Sequence, residues 1–154
     1  MASDASGYAA GYAGSNAVLV KYNSSGAVLW TQTVAGSDLS SFGGVAVASD
    51  GSVYAAGYID GPGTFNVGNS VTATGAYSGG SNIVLVKYDS TGTASWAQTV
   101  TAANNASFFA GVSVASGGYV YAAGDISGTG TYNFGNSATA TGTYIGGNIV
   151  LVGY

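Results

Sequence analysis

NIVLVKY (82–88) decides how this chain is read, because the chain carries it three times. NAVLVKY begins at Asn16, NIVLVKY at Asn82 and NIVLVGY at Asn148, with 66 residues between successive starts. A fixed period of that length marks a tandem repeat, in which each unit is too small to bury its apolar surface alone and stacks on its neighbours. In the central copy Ile83, Leu85 and Lys87 point to one side of an extended strand and Val84, Val86 and Tyr88 to the other. Both faces are apolar for most of the length, so the strand needs cover on two sides, as inside a stack of sheets.

The segments around this strand repeat with it. Asn23-Ser24-Ser25-Gly26 follows the first copy and Asp89-Ser90-Thr91-Gly92 the second. Asn or Asp opens such a turn by bonding its own backbone, and Gly closes it where a positive φ is wanted. AVLWTQTV (27–34) and TASWAQTV (93–100) then place Trp30 and Trp96 on a second strand, completing a hairpin. A further hairpin is read from 42–59, with Val45 and Val47 alternating before Asp50-Gly51 and Val53 and Tyr54 after it. Residues 108–126 repeat it with Gly117-Gly118 at the turn and one residue inserted near Phe109. The YAAG stretches place Tyr8, Tyr54 and Tyr121 at corresponding strand positions.

Two insertions, 61–81 and 128–147, have no counterpart in the first unit. In the first of them Thr64, Phe65, Asn66 and Val67 alternate before Gly68-Asn69, and Val71 to Thr74 after it. This is read as a small peripheral hairpin. The unit is thus four strands plus a decorating hairpin, and the core strands count three, four and three along the chain. The first unit lacks its opening strand and the last lacks its Trp strand. The fold class is all-β, with antiparallel four-stranded units in tandem and incomplete at both ends. The whole chain, 1–154, reads as one repeat domain with units of approximately 1–41, 42–107 and 108–154.

VAVASDGSVYAAGY, the insertion with FNVGN and TATG, VLVKYDSTG and the Trp strand together resemble the bacterial beta-propeller repeat (SBBP) family. The resemblance covers nearly the whole chain. It implies propeller blades of four antiparallel strands on secreted or cell-surface bacterial proteins, and brings no catalytic residues. The departure is in number, since two to three units are too few to close a ring of about four to eight blades.

Composition narrows function mainly by exclusion. The chain has 154 residues, of which 47% are hydrophobic and only 5% charged, against roughly a quarter charged in ordinary soluble domains. Little like-charge repulsion keeps neighbours apart, and few charged residues guard the strand edges, which favours association. A net charge of −4 with two Lys and no Arg argues against nucleic acid and against anionic membrane surfaces. No apolar run approaches the roughly 20 residues of a spanning helix, so membrane insertion is not expected. MASDASGY at the start lacks a basic region followed by an apolar one and does not read as a secretory signal.

His, Cys, Glu and Arg are all absent, which removes Ser-His-Asp triads, thiol nucleophiles and His- or Cys-based metal sites. No enzyme activity and no cofactor are expected. The carboxylates Asp4, Asp38, Asp50, Asp60, Asp89 and Asp125 show no calcium-loop spacing, and Asp50 and Asp89 read as turn formers. Lys21 and Lys87 share one register and read as strand-end residues with stems on apolar neighbours. Asn23 and Asn105 lie in glycosylation-type triplets that carry little weight.

Two kinds of binding residue remain. Asn148, Ile149, Val150, Leu151, Val152, Gly153 and Tyr154 form the copy of the apolar strand that has no Trp partner after it, and are expected to be an assembly strand. Tyr77 and Tyr144, in glycine-flanked loops, are candidate contacts for a ligand such as a sugar. The expected function is that of a non-catalytic extracellular or cell-surface structural and adhesive protein whose partner is itself. The alternative is a carbohydrate-binding, lectin-like module with glycan partners.

Overall fold

A computed structural model describes residues 5–154, so Asp4 and the opening of the first unit lie outside the described residues. No helix occurs among them; Gly and β-branched residues dominate the apolar runs and leave no helical stripe. The strands form three main antiparallel sheets. The first contains β1 (Gly7–Ala13), β2 (Asn16–Tyr22) and β3 (Val28–Thr33), in that order. The second has the order β4-β5-β8-β9, from β4 (Ser40–Val47), β5 (Val53–Asp60), β8 (Ser81–Tyr88) and β9 (Ala94–Thr99). The third has the order β10-β11-β14, from β10 (Ser107–Val114), β11 (Val120–Ser127) and β14 (Gly147–Gly153). Two separate hairpins pair β6 (Thr64–Gly68) with β7 (Val71–Thr74), and β12 (Thr131–Asn133) with β13 (Thr139–Thr141). The three-four-three strand count holds, and the second and third sheets start at Ser40 and Ser107, slightly before 42 and 108.

Register repeats as closely as sequence does. Ala10 lies opposite Leu19, Ala56 opposite Leu85 and Ala123 opposite Leu151. Local turn chemistry explains the shared hairpins: the Asn23 and Asp89 side chains each accept backbone N–H bonds from residues two and four further on, and Gly26 and Gly92 take φ of 83° and 88°. Phe42 opposes Gly57 and Phe109 opposes Gly124, with a bulge following in both sheets. The extra residue therefore does not lie near Phe109. It lies in the preceding loop, where Thr101 and Ala102 share the backbone bonds to Asn133 that Ala35 alone makes to Asn66. A loop absorbs an insertion without moving a register that burial fixes.

The sheets stack face to face and the core fills the two seams. Ala17 and Leu19 of the first sheet meet Val53, Ala55, Val84, Val86 and Tyr88 of the second. Tyr54, Ala56, Ile83 and Leu85, on the other face of the second sheet, meet Val120, Ala122, Val150 and Val152 of the third. The first strands of the second and third sheets run so close that a Cβ on Gly44 would lie 2.9 Å from the Gly111 Cα. Only glycine permits that approach.

The insertion hairpins are not peripheral. Phe65 and Val67 alternate with outward Thr64 and Asn66, and both apolar side chains are fully buried in the first seam. A Cβ on Gly36 would strike the Phe65 ring. Ala35 and Asn66 exchange backbone hydrogen bonds of 2.9 and 2.8 Å, and the Tyr88 hydroxyl donates to the Val67 carbonyl at 3.1 Å. Tyr132 and Phe134 do the same service in the second seam. The tight turn between β6 and β7 sets Asn69 and Ser70 both at positive φ, the hairpin geometry that matches strand twist. Each hairpin thus ties its own sheet to the sheet before it.

Two stability predictions follow from these positions. Phe65→Ala should cost about 3–5 kcal/mol, as for other large-to-small changes in a packed core, read by denaturant unfolding; a loss below 1 kcal/mol would restore a peripheral hairpin. Ala56 is fully buried whereas its equivalent Ala123 is exposed. Ala56→Leu should overpack by about 1–3 kcal/mol, while Ala123→Leu should change monomer stability by under about 0.5 kcal/mol. Equal losses in thermal unfolding would contradict the burial assignment.

Candidate assembly surface

The two ends of the stack differ from its middle by what is missing. In the second sheet β8 has β5 on one side and β9 on the other, but its equivalent β14 has only β11. Among the described residues nothing pairs with its second edge. Within the seven residues 148–154 the side chains divide by strand alternation. Val150 and Val152 are buried in the second seam, and the Tyr154 ring packs edge-on against Phe109 with its backbone bonded to Val120. Burial pushes the Tyr154 phenol well above its ordinary pKa. Ile149 and Leu151 face the other way and are 94% and 67% exposed, where Ile83 and Leu85 are fully buried. Half of the expected assembly strand is therefore already spent on its own core, and the other half is bare.

The same face carries an aromatic cluster in the first two sheets. Tyr8 lies against Trp30 with centroids 5.8 Å apart, and the Lys21 ammonium sits 5.5 Å over the Tyr8 ring. Tyr54, Trp96 and Lys87 repeat this with 6.0 and 5.6 Å. Lys21 and Trp30 also reach the next unit, both donating to the Ser90 carbonyl, at 3.5 and 3.2 Å. In the third sheet Tyr121 has Gly153 where Lys stands, and the chain carries no third Trp strand. The cluster is reduced to one tyrosine, 39% exposed.

Tyr77 and Tyr144 occupy equivalent loops on different sheets and are not brought into one site. Each is positioned by an asparagine that opens the repeated strand. Asn82 accepts from the Ala76 and Tyr77 amides at 3.0 and 2.7 Å and donates to the Gly61, Tyr77 and Gly80 carbonyls. Asn148 accepts from the Thr143 and Tyr144 amides, both at 2.9 Å, and donates back to the Tyr144 carbonyl and to Gly128. Tyr77 is half-buried, whereas Tyr144 and its neighbour Ile145 stand in solvent beside β14. The structuring role of these asparagines was available in the sequence, since Asn heads all three copies of the motif. Less visible were Ser40 and Ser107, whose hydroxyls accept from the Ala17 and Ile83 amides and so bond one sheet to the next.

Two of the carboxylates make turns. Asp50 accepts from the Ser52 amide and hydroxyl, and Asp89 from the Thr91 hydroxyl and the Thr93 amide, which holds both carboxyls below the usual range. Among the described residues there is no group of three or more potential metal-ligating side chains, and no helix long and apolar enough to cross a membrane. Among the described residues the surface offers the open edge of β14 and two sheet faces without cover, one on the first sheet and one on the third. No family model matches the chain, and no curated protein matches it.

Proposed function

We propose that this chain is a non-catalytic structural and adhesive β-repeat protein of the extracellular or cell-surface type, which assembles with further copies of itself through its incomplete terminal units. The observation that carries the reading is the contrast between a four-stranded sheet covered on both faces and two three-stranded sheets that are not. An uncharged, open strand edge is a template for another chain. The low charge supports close association, and the resemblance to bacterial beta-propeller repeats supports both a blade-like reading of the sheets and the extracellular setting. Carbohydrate binding is the second reading, favoured by one observation, the 64% exposed Tyr144 ring in its glycine-flanked loop.

Removing β14 is a poor test of assembly, because Val150 and Val152 would leave the core with it. Adding the absent strand is better. The intact chain should show a mass in light scattering that is a multiple of 14.9 kDa and rises with concentration. A variant extended after Tyr154 by a second copy of DSTGTASWAQTV (89–100) should cap the edge and give a smaller species. A mass that stays at one chain for the intact protein at every concentration would overturn self-assembly. For the second reading, glycan-array signal lost in Tyr144→Ala is the expected pattern; no signal from the intact chain removes it.

A further inference from the structure

The two seams inside the molecule are the same contact made twice. In each, the face of one unit bearing Tyr, Ala, Leu and the strand-opening apolar residue covers the opposite face of the next unit, bearing Ala, Val, Val and Tyr. Tyr8, Ala10, Ala17 and Leu19 lie over Ala55, Val84, Val86 and Tyr88. Tyr54, Ala56, Ile83 and Leu85 lie over Ala122, Val150, Val152 and Tyr154. The relation is directional, because a unit never presents the same face to both neighbours. Among the described residues one covering face and one covered face are consequently left over, at opposite ends of the stack.

The unused covering face is on the third sheet: Tyr121, Ala123, Ile149 and Leu151, all exposed. The unused covered face is on the first sheet: Ala9, Val18 and Val20, the equivalents of Ala55, Val84 and Val86, which with Gly11 line a shallow apolar groove. The middle sheet lies between them, so they cannot meet within one molecule. Resting on the proposal that the chain self-assembles, we infer that the Ile149–Leu151 face of one copy docks on the Val18–Val20 face of a second copy, extending the stack by the contact the molecule already uses twice. Continuity with the two internal seams points to this occupant, since Ala9, Val18 and Val20 repeat the Ala122, Val150 and Val152 that the third sheet offers to the second, although among the described residues the first sheet has no counterpart of β10 or of the Tyr132–Phe134 hairpin. Gly153 replaces the lysine of the other covering faces, and the docking residues of the first sheet are uncharged. Asp125, opposite Ile149 on the covering face with its carboxylate beside Gly147, is the one charge at the contact among the described residues. The contact is heterologous, so every added copy leaves one face of each kind free, and the assembly either closes into a ring or runs on.

The chain has no cysteine, which allows a direct test. Copies carrying Leu151→Cys are mixed with copies carrying Val18→Cys, or Val20→Cys, and oxidised; circular dichroism checks that each variant keeps its strand signal, as exposed or half-exposed positions should. The expected result is a disulfide-linked pair formed mainly between unlike variants, with little linkage in any variant alone. Leu151→Asp, which would bury a carboxylate in the contact, should weaken association of the otherwise intact chain by about tenfold or more. If the intact chain is multimeric but Leu151→Cys links to itself, or no mixed linkage forms and Leu151→Asp associates normally, the face pairing is wrong while self-assembly through the edge survives. A single-chain mass for the intact protein at all concentrations overturns both.

Discussion

A β-sheet that is apolar on both faces has to be covered on both faces, and every larger feature of this molecule answers to that requirement. Burial of a side chain such as Leu85 or Ile83 stabilises by about 1.5–3 kcal/mol relative to leaving it in water. A chain that repeats such residues every 66 positions can gain this only by stacking unit on unit. The second sheet attains it, with Ile83, Val84, Leu85 and Val86 all buried. The glycines of β4 and β10 let the backbones of the second and third sheets approach at Gly44 and Gly111.

Stacking alone leaves the flanks of each seam open, and polar as well as apolar devices seal them. The hairpins insert Phe65, Val67, Tyr132 and Phe134 from the side, and Ser40 and Ser107 satisfy strand amides of the preceding sheet. Among the described residues no buried side-chain nitrogen or oxygen lacks a partner, which matters because an unmade buried hydrogen bond costs about 1–3 kcal/mol. The two lysines fit the same scheme. Each lies over a tyrosine ring, where a cation gains about 0.5–1 kcal/mol at exposed sites and more when desolvated, and Lys21 reaches across the seam to Ser90.

This economy has a consequence for what the molecule can do. With Asp50 and Asp89 held in turns and Lys21 and Lys87 over tyrosine rings, much of the described surface is left to open strand edges, apolar sheet faces and a few aromatic loop residues. It is on these features that the proposed self-assembly rests.

Much of this was legible in the residues. The threefold NxVLV motif, the Asx-Gly turns and the Trp strands gave the strands, their pairing and the three-four-three count, because hydrophobic alternation and turn chemistry act over a few residues. Three matters were not. The hairpin of 64–74 reads as decoration from residues alone, since its alternation shows that one face is buried but not which sheet buries it. Sequence puts the inserted residue near Phe109 and the structure puts it in the loop before, because only ladder register separates the two. Ala56 and Ala123 have the same local sequence and opposite surroundings. What each unit is can be read from its residues, since a strand's two faces are written in its own alternation; which faces are covered depends on packing, because cover comes from a neighbouring sheet, so that among the described residues Ile83 is buried and its equivalent Ile149 exposed.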